Sequence, residues 1–260
     1  MYNFEFVKPL SVADAVTALS GDGAQALGGG QTLIPTMKQR LASPDILVSL
    51  ANIVEMRGVK HFSGNVTIGG ATTHEAVAAA HAFAGLTTLA GNIGDPAVRN
   101  RGTIGGSLAN NDPAACYPAA ALATGATITT NSRDIAADDY FQGMFTTALE
   151  EGEIITSVAM PIPEASNYQK FDQPASRFAL VGVFVAKYAE GVRVAVTGAS
   201  EDGVFRWSEA EVALSANFSA DAIANLSLDA SGMIKDLHGS KEYRANLVKV
   251  LTGRAVGLAS

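Results

Sequence analysis

Three consecutive glycines, Gly28, Gly29 and Gly30, stand between an apolar run ending at Leu27 and a second apolar segment beginning at Leu33. A stretch without Cβ atoms belongs where backbone must approach something closely or adopt angles closed to other residues. A second pair, Gly105 and Gly106, also follows a short apolar segment, in "GTIGGS". Amides converging at such turns hold an anion without a lysine, and the missing side chains leave it room. Gln31, Thr32, Thr103 and Ser107 add neutral donors beside the two runs. One glycine run alone reads best as a tight turn. Two runs with matching neighbours read as a ligand site.

The bulk properties narrow the ligand. The chain has 260 residues, 48% hydrophobic and 17% charged, with a formal net charge of −7. That length buries one large core or two to three smaller ones. The excess of acid and the dispersed Lys and Arg argue against a nucleic-acid partner, which needs clustered cations. Cys116 is the single cysteine, and His61, His74, His81 and His238 are scattered, so neither a disulfide nor a resident metal or iron–sulfur cluster is expected. No apolar run reaches the roughly 18 residues of a membrane span, and "MYNFEFVKPL" lacks both the basic start and the apolar centre of an export signal. A cytoplasmic location is therefore the default expectation. The dinucleotide fingerprint G-x-G-x-x-G fails at Leu33, and G-x-x-x-x-G-K-[ST] does not occur.

Along the chain, "SVADAVTALSG" predicts an amphipathic helix capped by Ser11, followed by a short strand at "AQAL", a helix after Pro35 and a buried strand in "PDILVSLANI". A second unit opens with a strand from Val66 to Ile68 and an Ala-rich helix capped by Thr73, and continues with strands in "ATITT" and "EIITSVAMPI". Between them, "IGDPAVRNRGTIGGSLANNDPAACYPAAALATG" reads as a long functional loop. The Pro-containing break "MPIPEASNYQKF" leads to strands in "RFALVGVFVAKY" and "GVRVAVTGA", then to helices in "SEAEVALSA" and "SKEYRANLVKVLTGRAVGLA". Gly69–Gly70 and Gly105–Gly106 both follow Thr-Ile, in surroundings too different to count as a repeat.

Taken in order, "LGGGQTLIPTMKQR", "DPAVRNRGTIGGSLANNDPAACYPAA", "EGEIITSVAMPIP", "YQKFDQPASRFALVGV" and "HGSKEYRANLVKVL" resemble the FAD-binding medium subunit of the molybdenum hydroxylases, over nearly the whole chain. That family includes aerobic carbon monoxide dehydrogenase, xanthine dehydrogenase and related aldehyde and aromatic hydroxylases. The resemblance implies an α+β protein with a PCMH-type FAD-binding fold. Two α/β subdomains, residues 1–55 and 56–165, would grip FAD, and a C-terminal α+β domain like that of the carbon monoxide dehydrogenase flavoprotein, residues 166–260, would close over the flavin. It also implies a site. Leu27, Gly28, Gly29, Gly30, Gln31, Thr32 and Leu33 would meet the pyrophosphate and ribityl chain, and Gly102, Thr103, Ile104, Gly105, Gly106 and Ser107 would form the second loop. Ile155 and Lys170 would lie beside the flavin, with Phe178 over its ring.

Cys116 departs from the pattern, because many relatives carry an aspartate there that helps bind the cofactor; Asp112 is an alternative carboxylate or an ordinary turn former. Cys116 itself reads as a small buried filler. Arg99 is expected to hold its loop or a partner surface, while Arg101 stays open between that reading and a phosphate ligand. His74 reads as satisfying local bonds at a helix start, Tyr243 and Arg244 as docking the last helix, and Trp207 as core or interface. No catalytic triad or carboxylate pair stands out, as expected where a flavin carries the chemistry. Lys170 would favour the anionic reduced flavin.

The resemblance further implies a large molybdenum-cofactor subunit and a small subunit with two [2Fe–2S] clusters as partners, in a dimer of heterotrimers reducing an external acceptor. Phe178 would hinder a nicotinamide, which points to quinone or another carrier, with peripheral contact to the inner membrane through that acceptor. "GTIGGSLANNDPAA" and "ASRFALVGV" lie nearest the carbon monoxide dehydrogenase branch. Aldehyde, purine or aromatic-ring hydroxylases, a stand-alone FAD oxidoreductase and a scaffold that has lost FAD are the alternatives.

Overall fold

The computed structural model describes residues 1–260. The chain opens with β1 (Glu5–Val7), α1 (Val12–Leu19), β2 (Ala24–Leu27), α2 (Leu33–Lys38) and β3 (Ile46–Ser49). The three strands form a parallel sheet in the order β1-β3-β2. Ser11 caps α1 by accepting the Asp14 amide at 3.1 Å while its hydroxyl donates to the Asp14 carboxylate at 2.7 Å. Helix α2 starts two residues before Pro35. That proline falls in the first turn, where the missing N–H has no intrahelical partner to lose. Ala15, Val48, Ile53, Met56 and Ile154 form a small core beneath this sheet.

The second sheet has the order β4-β5-β10-β6-β7, antiparallel throughout, from β4 (Val59–Phe62), β5 (Asn65–Gly69), β6 (Thr127–Thr130), β7 (Asp134–Ala136) and β10 (Ile155–Pro161). Helices α3 (His74–Ala79) and α4 (Ala84–Gly91) follow β5, and α8 (Ala137–Tyr140) with the two-stranded ribbon β8 (Phe141–Gly143) and β9 (Thr146–Thr147) precedes β10. The segment expected to be a long loop instead holds three helices: α5 (Pro96–Arg99), α6 (Ile104–Asn110) and α7 (Tyr117–Thr124). Asp95 caps α5 and Thr103 caps α6 through side-chain oxygens, and Gly125, at φ 62°, stops α7 in the left-handed conformation. Every residue of α7 is buried, and its alanines let sheets pack closely on two sides of it.

The third sheet is a meander, β11 (Ala165–Asp172), β12 (Ala179–Tyr188), β13 (Gly191–Ser200) and β14 (Gly203–Arg206), backed by α9 (Ser208–Ala216) and α10 (Lys241–Leu258). Strand β11 stands where the sequence suggested a break. Its polar residues make tertiary bonds, Ser166 accepting the Gly85 amide and Asn167 donating to the Leu258 carbonyl, so no alternating pattern marks it. Strand β12 is buried almost throughout because helices cover both faces. Tyr168, Phe184, Ala186 and Ala195 of this sheet share the large core of the second. Arg244 docks α10 as expected, donating to the carbonyls of Leu180 and Gly198 and to Asp236, and Trp207 is core. Tyr243 is partly exposed and meets Phe171 edge-on.

Candidate functional site

A cavity of about 660 Å³ lies where the three sheets meet, bordered by the loop after β2, the start of α6, the start of β10 and the β11–β12 hairpin. The carboxyl end of a parallel strand such as β2 is where open α/β sheets hold ligands. Leu27, Gly28, Gly29, Gly30, Gln31, Thr32, Leu33, Gly102, Thr103, Gly105, Gly106, Ser107, Asp112, Ile155, Lys170 and Phe178 all line it. Ile104 does not. Its side chain is fully buried in the core and its amide donates to the Thr72 carbonyl at 3.1 Å, so it anchors the turn from behind.

The two glycine loops touch. A Cβ on Gly29 would collide with the carbonyl of Arg101 and the backbone of Gly102, and one on Gly28 would stand 2.8 Å from Thr103 Oγ1. The close approach behind the opening motif is therefore, first, loop against loop. Gly105 has the same reason: a Cβ there would lie 2.6 Å from the Gly70 carbonyl, which already accepts the Gly105 amide at 2.9 Å. The two Thr-Ile-Gly-Gly segments thus meet face to face, with Thr73 and Thr103 paired across them in a β-bridge.

Their amides are used differently. Those of Gly102, Ile104, Gly105, Gly106 and Ser107 donate within the chain, to Val98, Thr72, Gly70, the Thr103 hydroxyl and the Thr103 carbonyl. The amides of Gly28, Gly29, Gly30, Gln31 and Thr32 donate to no protein atom. Five successive donors without a protein partner, on residues of a cavity wall and with Gly30 at φ 72°, are what an anion cradle for phosphate requires. The symmetric two-loop anion site expected from the sequence needs correcting on this point. The first loop offers amides, while the second offers shape and the hydroxyls of Thr103 and Ser107, because its amides are consumed in joining β5 to α6.

Around this site, Asp112 lines the cavity while its Oδ1 accepts the Ala114 amide at 2.8 Å, the bond of an ordinary turn former. Cys116 lines the cavity and is buried, and burial pushes its thiol up from the ordinary range, so the position brings no negative charge. Glu153, also on the wall, is held by Arg133, Ser132 and Thr130 and by the Glu150 amide. The Arg133 contact comes first among the causes that bring its carboxyl down to about 2.

Lys170 is nearly buried, and Nζ donates to the Asn92 carbonyl at 2.6 Å, the Arg177 carbonyl at 2.9 Å and the Asp172 carboxylate at 2.8 Å. An ammonium has three donors, and all are taken. Lys170 therefore pins the hairpin segment 173–178 to the loop before α5, and any influence on a flavin acts through its field and through this strap. Phe178 is half exposed at the mouth. Arg99 holds its own loop, donating to the Ile93 and Gly94 carbonyls and pairing with Glu75 at 3.1 Å, while Arg101 is exposed and stands outside the cavity wall.

Among the wall residues that escaped the sequence reading, two bear on the glycine loops. Gly70 was announced by the shared Thr-Ile-Gly-Gly spelling. His74 was set aside, yet it lines the cavity, is 5% exposed, and leaves Nδ1 buried with no partner.

Residues 2–163 match the family described as the FAD binding domain in molybdopterin dehydrogenase. This chain belongs to that family. Its carbon monoxide dehydrogenase relative from Afipia carboxidovorans, a medium chain, is 31% identical over 98% of this chain and 96% of its own length. The nicotine 6-hydroxylase medium subunit of Paenarthrobacter nicotinovorans is 33% identical over 96% and 95%. The solved structure of reconstituted CO dehydrogenase from Oligotropha carboxidovorans superposes with a TM-score of 0.89 at 30% identity, covering 98% of this chain and 97% of that one. The chain is an FAD-carrying subunit of this family of oxidoreductases, and the cavity suits its cofactor. FAD brings a diphosphate that matches the free amides, while apolar residues such as Leu50, Ile93, Ile154 and Ile155 offer surface to its flat rings. No helix is long and apolar enough to cross a membrane.

Proposed function

We propose that this chain is the FAD-carrying electron-transfer subunit of a molybdenum hydroxylase complex. It would receive electrons from the [2Fe–2S] clusters of a small partner subunit and deliver them to an external acceptor, while a large subunit carrying the molybdenum cofactor oxidises the substrate. The observation that carries this reading is the row of free amides from Gly28 to Thr32 on the wall of the cavity. The medium-chain relatives support the wider assembly, which we propose as a dimer of heterotrimers.

When bound, the flavin supplies the redox chemistry. The chain's own residues do the rest. Amides of the first loop neutralise the diphosphate without a cation, and Thr103 and Ser107 add hydroxyl donors. Gly28, Gly29 and Gly105 let the two loops close on each other, which fixes the cradle. Lys170 and the strap 173–178 wall one side of the mouth, and Phe178 screens it from water. We also propose that residues 1–55, 56–165 and 166–260, each with its own sheet, are the three units that grip and cover the cofactor.

Carbon monoxide is the first substrate to test for the complex, on the strength of "GTIGGSLANNDPAA" and "ASRFALVGV". Carbon monoxide and nicotine relatives stand at 31% and 33%, so this chain does not by itself fix the substrate, a choice this reading assigns to the large subunit. The half-exposed Phe178 at the mouth favours a quinone or another non-nicotinamide acceptor. Co-expression with the neighbouring subunits tests the whole reading. Flavin, iron and molybdenum eluting together, with the flavin lost when this chain is omitted, is the expected result. A complex that keeps its flavin without this chain rejects it.

A further inference from the structure

We propose that His74 is a direct ligand of the bound cofactor, donating a hydrogen bond from Nε2 to an acceptor oxygen of its diphosphate–ribityl segment. The proposal rests on the reading that FAD occupies this cavity.

His74 is the first residue of α3, after the cap Thr73, and its own amide donates to the Gly102 carbonyl at 2.9 Å. The ring is wedged between the second glycine loop and Tyr117. A Cβ on Gly102 would come within 2.5 Å of Nε2, and the Tyr117 ring lies 5.3 Å away, tilted by 46°. A histidine buried for structural reasons satisfies its ring nitrogens. This one satisfies neither. Nδ1 is sealed from solvent without a partner, and Nε2 forms no hydrogen bond within the chain and is not sealed as Nδ1 is.

Burial first, and the charge of Arg99 second, lower the imidazole to about 4, so at neutral pH the ring carries a single N–H. Two tautomers are open. With the proton on Nδ1, a donor is stranded in the interior; with the proton on Nε2, the buried side keeps only a lone pair and the donor faces the cavity. The second is the better arrangement, since bare buried acceptors are less rare than bare donors. It places a neutral donor beside Gly102, on the cavity wall where the second loop meets the first. The second loop has spent its own amides, so a side chain behind it supplies what that wall lacks.

The test uses the full-length apoprotein and FAD, read by quenching of flavin fluorescence. His74→Gln reaches the position of Nε2 with an amide donor, His74→Asn reaches only Nδ1, and His74→Phe fills the ring volume with no donor. Losing a hydrogen bond to a charged oxygen weakens binding roughly ten- to hundredfold. Phe and Asn variants weakened by that factor, with the Gln variant near wild type, are the expected result. Nitrogen-15 NMR of the wild-type protein should report the Nε2–H tautomer of His74, with the Nε2–H resonance moving downfield when FAD binds, a readout that a packing role would not move and that stands even where a variant fails to fold. An Nδ1–H tautomer, or a folded Phe variant binding as tightly as wild type, overturns the inference. A wild-type chain that takes up no FAD overturns the cofactor reading beneath it, which is a different failure.

Discussion

The two glycine loops have similar spelling and opposite wiring. Both follow short apolar segments and both are flanked by threonine. In the second, five amides are bound within the chain; in the first, five successive amides are bound to nothing. The difference comes from topology. Thr103–Ser107 begins a helix laid against β5, so its amides complete a β-bridge and a cap, whereas Gly28–Thr32 leaves the end of a parallel strand with no neighbour to pair with. A glycine motif thus states that backbone comes close to something. What it approaches, backbone or ligand, depends on the fold around it.

The largest expected effect comes from forcing the loops apart. Gly29→Ala sets a Cβ against the Arg101 carbonyl and should destabilise even the apoprotein by roughly 3 kcal/mol, the upper range for overpacking. Urea unfolding measures it. An apoprotein as stable as wild type that loses only FAD would place the crowding at the ligand instead. Next comes the far wall of the cavity. Lys170→Ala leaves two carbonyls without their charged donor and should cost about 2 kcal/mol. It should also open the strap to trypsin after Arg177, and a cleavage rate equal to wild type would show that the strap is held by other means.

A smaller change separates the loops by function. Thr103→Ala removes a helix cap and should cost about 1 kcal/mol. Gly30→Ala, at φ 72°, carries a similar strain of about 1 kcal/mol but also tilts the free amides. The Gly30 variant should lose FAD affinity by the larger factor, and equal losses would remove the distinction between the loops. A further effect depends on pH. Glu153 has a folded value of about 2, below its ordinary value, so it contributes stability that is present above about pH 4.5 and lost as pH falls towards 2. Thermal midpoints of Glu153→Gln should therefore fall less steeply than wild type across that acid range, and parallel curves would deny Glu153 its part.

Much of this was legible in the sequence. Caps and periodicity placed α1, β2, β3, β12, β13, α9 and α10, because each is decided by its own residues. Strand β11 was hidden, since Ser166 and Asn167 are justified only by partners at Gly85 and Leu258. The three helices of the presumed long loop were obscured by glycine, asparagine and proline, although Asp95, Thr103 and Gly125 are ordinary start and stop signals. At the site, the glycines and their hydroxyl neighbours could be read directly. The saturation of Lys170, the burial of Ile104 and the unpartnered ring of His74 could not, because each depends on what another segment places beside it.

Residue-resolved hydrogen exchange with and without FAD tests the central claim most directly. The amides of Gly28 to Thr32 should exchange freely in the apoprotein and become protected when FAD binds, while those of Ile104 to Ser107 should be protected in both states. No FAD-dependent protection at Gly28 to Thr32, or protection appearing only at Ile104 to Ser107, would contradict the account.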